Sequence, residues 1–311
     1  MISNNPTYTL SIECGPYKPV IGSPYRDASQ TVTIQLPITC EFEIQRQFWG
    51  SSQTATFTLY NLKENTRNLL YHDQYAYLDR ANIQFKAGYN GQEVLLFNGW
   101  VRWAYSKRPG RDFLTVIEAF DGAHALANSF SSFNALPRTS LKNVLYTLNQ
   151  DFVSTYKLAS TPLFGNIPDN TSFTNLRPLA MYGPTANLLK AFLPMSVSAT
   201  IDLNQLKVLG YNDVLDLPEI LIEAETGLLE PPERSGAMVV AKTLFNPQVQ
   251  MNQTARLNSV DNSIFNRVYQ IRGFSHKGLI SFSVGGQRTT TYSLWYGTEA
   301  LQYIPAPPTL T

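Results

Sequence analysis

Residues 82–122 read NIQFKAGYNGQEVLLFNGWVRWAYSKRPGRDFLTVIEAFDG, and this stretch decides the fold class. Three strand-like runs are separated by Asn90-Gly91 and by Lys107-Arg108-Pro109-Gly110. Asn-Gly is the strongest short hairpin signal, because both central residues of a type I′ turn need positive φ. In the first run Ile83, Phe85, Ala87 and Tyr89 alternate with Gln84, Lys86 and Gly88, the period of a half-buried strand. The stretch is a β-meander with nothing in it that resembles a reaction centre. That combination points toward a structural or assembly role.

Working outward, residues 1–122 read as an all-β domain. Strands are expected over 31–36, over 40–48 with Cys40, Phe42 and Ile44 on one face, and over 53–62 with Ala55, Phe57 and Leu59 facing one way. A short helix over 63–71 is expected to be capped by Asn61 and pinned by Leu69 and Leu70. With the meander this makes about six strands, enough to close a small barrel or sandwich.

Over residues 123–211 the period changes. Thr139 or Ser140 caps a helix in which Leu141, Val144, Leu145 and Leu148 recur at helical spacing, and Thr185 caps a second one carrying Leu188, Leu189 and Phe192. Pro194 ends it, and residues 157–184 between the helices read as a loop. Two strands, 197–203 and 205–209, turn near Asn204. Residues 212–311 return to β, with strands expected over 220–224, 237–243, 254–257, 267–275, 279–284 and 289–296. Turns fall at Glu230-Pro231-Pro232-Glu233, Asn246-Pro247, Asp261-Asn262 and Gly285-Gly286. The run Ile304-Pro305-Ala306-Pro307-Pro308 reads as an extended tail that cannot pair in a sheet. The fold class is mainly β with a smaller α+β part. Two β domains of similar size flank the α+β domain, which suggests duplication, although no repeat is visible in the residues.

Composition narrows the function classes. Of 311 residues only 15% are charged, below the ordinary ~25%, and the net charge is +1. No global field draws such a chain to nucleic acid or an anionic membrane. Aromatics reach 12%; a polar but weakly charged, aromatic-rich surface fits life inside an assembly, while a β-rich monomer also favours these residue types. Cys14 and Cys40 make no disulfide framework or zinc site; they read as free thiols, with a bond between them left open. The start MISNNPTYTLSIECG lacks a secretion signal, and no run of 18 apolar residues is long enough to span a membrane. The expectation is a protein made in the cytoplasm that stays soluble or assembles there.

A search for chemistry returns little. There is no Walker loop, dinucleotide fingerprint, metal-spaced Cys or His pair, or nucleophile elbow. His72, His124 and His276 are far apart in sequence; His276, at the end of an expected strand, reads as a turn or interface histidine. Asp112, Glu118 and Asp121 cluster in one hairpin, with Asp121-Gly122 as a turn, and Glu219, Glu223, Glu225 and Glu230 form a second acidic group. The first three of these alternate with apolar neighbours, as the solvent face of a strand does. All read as solvated or lumen-facing charges rather than the acid pair of a hydrolase. Lys107, Arg108 and Arg111 gather at one hairpin tip, too small a stripe for a nucleic-acid binder. Trp100 and Trp103 are expected on opposite faces of a strand, one in the core and one at a subunit contact. No catalytic, cofactor-binding or metal-binding residue is expected.

Two blocks of residues carry a family resemblance. The first is Tyr60-Asn61-Leu62, a helix with Arg67-Asn68-Leu69, then Ala87-Gly88-Tyr89, Phe97-Asn98-Gly99 and Ala119-Phe120-Asp121-Gly122. The second is Thr226-Gly227-Leu228, Pro232, Leu244-Phe245-Asn246-Pro247, Tyr269 and His276. In order and spacing they resemble phage baseplate or tail hub proteins, across most of the chain. Two features depart from that pattern: Lys277-Gly278-Leu279 stands after His276 where hubs usually carry Gly-Asp, and Gly285-Gly286-Gln287-Arg288 extends the last hairpin.

The resemblance implies a structural homotrimer in the virion tail baseplate, assembled in the host cytoplasm. Each subunit would carry two tube-protein-like β-barrels, at residues 1–122 and 212–311, so that three copies form a pseudo-hexameric ring. The ring would adapt the six-fold tail tube, or a distal tube-like ring, above it to a three-fold spike below, touching other baseplate proteins. DNA would pass through its channel without specific binding, and no membrane insertion is implied. Alternatives are a distal tail protein of a non-contractile tail, a tail-associated cell-wall hydrolase, and a glycan-binding adhesin with Trp100 and Trp103 as its platform.

Overall fold

The computed structural model describes residues 5–14, 30–48, 53–72, 81–156, 158, 161–167, 178–297 and 301–306. The first region holds Pro6–Cys14 (β1), Gln30–Gln35 (β2), Cys40–Gln47 (β3), Gln53–Tyr60 (β4), Glu64–Leu70 (α1), Ala81–Tyr89 (β5), Gln92–Lys107 (β6) and Leu114–Asp121 (β7). Its strands run side by side in the order β2-β1-β5-β6-β7-β4-β3. The Asn90-Gly91 turn forms as its residue types demand, with φ of 54° and 80°. Residues 36–39 join β2 directly to β3, the two ends of that run, so the sheet curls round a single core. All seven strands feed this core, and Phe85 lies at its centre, 5.2 Å from Phe42 and 4.8 Å from Phe57 between ring centroids. Cys14 and Cys40 are buried in it and are not joined by a disulfide.

Three local expectations fail here. β1 was not expected, although Tyr8, Leu10, Ile12 and Cys14 alternate along it and Asn5-Pro6 and Gly15-Pro16 bracket it with turn signals. Asn61 does not cap α1: the residue before the helix is Lys63, with no side-chain cap bond. Asn61 instead takes a left-handed conformation at φ 54° and binds the opposite hairpin, donating to Asp112 Oδ1 at 2.8 Å and accepting from Phe113 N at 2.9 Å. Trp100 and Trp103 share a face, since they stand opposite Phe120 and Glu118, two residues apart on β7. A β-bulge at Arg102 reverses the alternation that would have separated them.

The middle region holds Ala123–Asn128 (α2), Phe130–Ala135 (β8), Leu141–Tyr156 (α3), Leu163–Phe164 (β9), Leu179–Pro184 (β10), Thr185–Phe192 (α4), Val197–Asp202 (β11) and Gln205–Gly210 (β12). Leu141, Val144, Leu145 and Leu148 of α3 are all buried in a second core, and Asn143 N donates to the Ser140 hydroxyl at 3.3 Å, as a cap should. Thr185 is no cap; it is the first residue of α4, buried, with its hydroxyl 2.7 Å from that of Ser131. The expected loop over 157–184 contains β9 and β10, β10 pairing antiparallel with β8; part of that loop lies outside the described residues. Leu203 and Asn204, both at positive φ, form the two-residue turn between β11 and β12.

The last region holds Asp213–Asp216 (β13), Ile220–Glu223 (β14), Glu233–Ser235 (β15), Met238–Leu244 (β16), Thr254–Asn258 (β17), Arg267–Ile280 (β18), Arg288–Trp295 (β19) and Gln302–Pro305 (β20). A third core gathers here, around Tyr269, Ile271, Phe274, Tyr292 and Leu294. The expected turn at residues 230–233 ends in the short strand β15. The two strands expected over 267–275 and 279–284 are one 14-residue strand, β18, running straight through His276-Lys277-Gly278. The proline-rich end does pair: β20 lies parallel to β13, with Leu215 opposite Ile304 and Asp216 opposite Pro305. A proline lacks a donor but keeps its carbonyl, so it is tolerated at the last position of such an edge. Pro307 and Pro308 lie outside the described residues.

Set side by side, the first and last regions share a strand order. The first runs β3-β4-β7-β6-β5, and the last runs β15-β16-β19-β18-β17. In each, three consecutive antiparallel strands follow a strand that returns beside the third. Each long strand is bulged against its partner at an arginine, Arg102 in β6 and Arg272 in β18. The outermost additions differ, since β1 joins β5 antiparallel while β14 joins β17 parallel. The two regions fuse into one 13-stranded sheet through β3 and β18.

Candidate assembly surfaces and the buried junction

The fusion of the two β regions is the best-built feature of the molecule. Eight residue pairs join β3 to β18, from Gly273 opposite Gln47 to Ile280 opposite Cys40. On its exposed side Lys277 Nζ lies 3.4 Å from Glu43 Oε2. Below the sheet Phe245 leaves the end of β16 and enters the core of the first region, 5.7 Å from Phe42 and 5.2 Å from His276 between ring centroids. Tyr89 Oη donates to the Phe245 carbonyl at 3.2 Å. The Leu244-Phe245-Asn246-Pro247 motif is therefore a plug that locks one β region to the other. Asn246 N donates to Thr290 Oγ1 at 2.9 Å, and the same hydroxyl lies 2.9 Å from His276 Nδ1.

A charged cluster sits where this junction meets the middle region. Arg46 of β3 donates from Nε to Asp202 Oδ1 at 2.8 Å and also from Nη2, and Lys207 Nζ donates to Asp202 Oδ2 at 2.7 Å. All three side chains are buried. Burial pushes the Asp202 carboxyl upward, but Arg46 and Lys207 outweigh it and hold the group at about 2. Asp121, at the end of β7, accepts from Asn204 N at 3.2 Å and so holds the β11–β12 turn. Burial, then the Asp202 charge, raise it to about 7 against the pull of Arg46 and the turn's N–H groups. His276 is driven down to about 3 by burial and by Arg46. Of the expected Asp121-Gly122 turn, Asp121 is the last residue of β7, opposite Gln53, and Gly122 alone turns the chain into α2, at φ 70°, where an added Cβ would strike Ile201 at 2.5 Å.

Arg272, the bulge residue of β18, is buried between Phe48 and Trp295, with its guanidinium carbon 4.6 Å and 4.5 Å from their ring centroids. It also donates to the Tyr211 carbonyl, and burial lowers its pKa to about 10. Its spacing gave no signal in sequence, because a bulge arginine between apolar neighbours looks like any strand residue.

The remaining residues singled out from sequence lie apart. His72 bridges Ala104 through its backbone, His124 packs 6.3 Å from Trp100, and His276 is in the mid-strand core rather than in a turn or at an interface. Glu118 lies 3.9 Å from Arg102 and Asp112 is taken by Asn61, so neither joins Asp121 in a carboxylate pair. Glu219, Glu223 and Glu225 do not share a strand face. Only Glu223 lies within β14; Glu219 precedes it, paired with Arg256 at 2.7 Å, and Glu225 is in the turn beyond. The strand is cut short because Thr226 folds its hydroxyl back onto Glu223 N and the Leu221 carbonyl. Glu230 pairs with Lys242 at 2.7 Å. Among the described residues no group of three or more His, Cys, Asp or Glu is arranged to hold a metal ion.

What remains for binding is surface. The outer strands of the large sheet are β2, β15 and, on the side branch through β17, β14. Exposed apolar side chains include Phe130 and Tyr182, whose rings meet at 4.5 Å on the small middle sheet, together with Met195, Val260 and Phe282. A 740 Å³ groove lined by α2, α4 and β11 opens beside Met195. Broad apolar relief and open strand edges are surfaces through which chains assemble.

The family model for baseplate hub gp41 matches residues 22–277. The chain belongs to that family. It is a structural component of a phage tail, and its kin are baseplate hubs of the virion. Among curated protein sequences none matches it. Solved structures give the same fold at very low identity. The 43 kDa tail protein of prophage MuSo2 from Shewanella oneidensis aligns with TM-score 0.56 and 8% identity over 92% of this chain and 98% of that one. A tail protein from Neisseria meningitidis MC58 aligns with TM-score 0.56 and 8% identity over 93% and 96%. The Escherichia coli c3393 protein is described as a type VI secretion component with structural similarity to the T4 tail proteins gp27 and gp5. It aligns with TM-score 0.53 and 9% identity over 87% and 77%.

Proposed function

We propose that this hub protein is a homotrimer whose ring joins a six-fold tail tube, or a distal tube-like ring, to a three-fold spike and leaves a channel for DNA. The observation that carries this is the strand order that the first and last β regions share. Two alike units in one chain turn three chains into six alike units, which is what matching three-fold to six-fold requires. On this reading residues 1–122 and 212–311 are the two tube-like barrels, and residues 123–211 hang from them through the Arg46–Asp202–Lys207 cluster. Other baseplate proteins dock on the apolar relief around Met195 and Tyr182.

DNA must slide through such a ring without sticking, since each captured phosphate adds salt-dependent affinity. The polar uncharged residues that abound in the chain suit that lumen. The test is particle mass by mass photometry or light scattering, where a trimer is expected. A strict monomer or a hexamer at working concentration would overturn the ring. Tight duplex binding by the ring at low salt, lost as salt rises, would overturn the slippery channel.

A further inference from the structure

The joint inside one chain is a template for the joint between chains. Because the two β regions share their order, each residue of the β3–β18 joint has a counterpart. Before the bulges, Val101 opposite Ala119 corresponds to Ile271 opposite Leu294. Crossing the sheet, Ala55 opposite Ala119 corresponds to Val239 opposite Leu294, by way of the adjoining pair of β4 with β7 and of β16 with β19. One strand further, Ile44 opposite Ala55 corresponds to Arg234 opposite Val239. Thus β15 is the counterpart of β3, and the far end of β6 is the counterpart of β18.

Within the chain β3 uses its second edge to bind β18. The second edge of β15 has no partner strand among the described residues, since β15 ends the sheet. Beyond Trp100 the edge of β6 that faces β5 is met only by the single bridge of His72 to Ala104 among the described residues. His276 lies as far past Arg272 as Ser106 lies past Arg102. The pair Ile44–His276 therefore becomes Arg234–Ser106, and Glu43–Lys277 becomes Glu233–Lys107.

We propose that β15 of one copy adds antiparallel to residues 105–107 of β6 in the next copy, with Glu233 facing Lys107. This inference rests on the ring reading and names its contact. Two observations on the chain converge on it. Charge is complementary where the template carries an ion pair: Glu43–Lys277 is formed within the chain, while Glu233 and Lys107 are exposed and have no ion-pair partner among the described residues. Length also agrees. His72 occupies Ala104, the counterpart of Phe274, so the edge left open starts at Tyr105, and β15 supplies three residues to meet it. Such a contact is head-to-tail, and a repeated head-to-tail contact closes a ring when its rotation closes. Pairing of two strand edges across chains also satisfies backbone groups that an isolated copy leaves to water.

A disulfide tests the register directly. Tyr105→Cys combined with Ser235→Cys, the native cysteines being buried, is expected to give a covalent trimer on a non-reducing gel under mild oxidation. Each single variant should remain uncrosslinked. Charge reversal gives a second reading: Glu233→Lys should raise the concentration at which the trimer half-forms at least about tenfold, through its approach to Lys107, and adding Lys107→Glu should restore it. A trimer by mass that neither crosslinks nor responds to the reversal overturns this joint and leaves the ring standing. A particle that stays monomeric at all accessible concentrations overturns both.

Discussion

The first and last β regions are alike in order and unlike in finish, and the difference separates what is fixed in the chain from what is left for assembly. The first region offers β3, eight residues long, to its neighbour and buries the contact under Phe245, Arg46 and His276. The last region offers β15, three residues long and exposed throughout. One edge is welded by aromatic packing and buried ions; its counterpart is short, wet and charged. A short charged edge is what a chain needs if it must avoid pairing at random before its proper neighbour arrives.

The largest test of this contrast removes the ion at the welded joint. Asp202→Ala leaves Arg46 and Lys207 buried without their carboxylate, and is expected to cost about 3–5 kcal/mol in denaturant unfolding. A cost near that of a surface ion pair, under about 1 kcal/mol, would show that the cluster is not what holds the middle region to the sheet.

Next comes a matched pair of positions. Asn61 and Phe245 each follow the counterpart strands β4 and β16 directly, yet one is an exposed turn residue and the other a core plug. Phe245→Ala is expected to lose about 3–5 kcal/mol, as buried aromatics do, and Asn61→Ala about 1–2 kcal/mol through its two lost hydrogen bonds and its left-handed backbone. Equal losses, measured by the same urea titrations, would erase the distinction between the plugged and the open unit.

How much of this was legible in the sequence follows from the range of the forces involved. The meander over 82–122 and the α3 stripe were readable, because hairpin turns and helical periodicity are local. The resemblance to tail hubs was readable from ordered short motifs. Unreadable were features set by distant partners. Asn61 looked like a cap until Asp112 and Phe113 came to meet it. The tryptophan pair looked two-faced until the bulge at Arg102 changed the parity. Asp121 looked like a turn residue but ends β7, and nothing near it in sequence announces Arg46, Asp202 or Asn204. The proline-rich end looked unpairable because only one of its proline's two backbone groups was considered. Strand β15 was hidden by the prolines before it, and those prolines also keep it short.

The smallest expected effect belongs to Asp121, and its sign is the informative part. Its folded pKa of about 7 stands above the ordinary carboxylate value, so between the two the folded protein binds more protons than the unfolded chain. Its contribution to stability is therefore fully present below the unfolded pKa and is lost as pH rises through 7. His276 runs the other way: with a folded pKa of about 3, its contribution is present above the ordinary histidine value and lost as pH falls through 3. Asp202 titrates near 2, below the neutral window, and Arg46 and Lys207 face the cluster from β3 and β12. Asp121→Asn removes the first slope and keeps the second. The stability of the variant relative to the native chain should thus improve as pH rises from about 5 to about 7 and level off above that, while the weaker acceptance of the turn's N–H groups shifts the whole difference by an amount that does not change with pH. Parallel denaturation curves for the two proteins across that window measure it. A difference that is flat with pH would mean that Asp121 is already ionised throughout, held by Arg46 more firmly than Asp202 repels it. The welded joint would then be a four-charge network rather than an ion triad with a neutral neighbour.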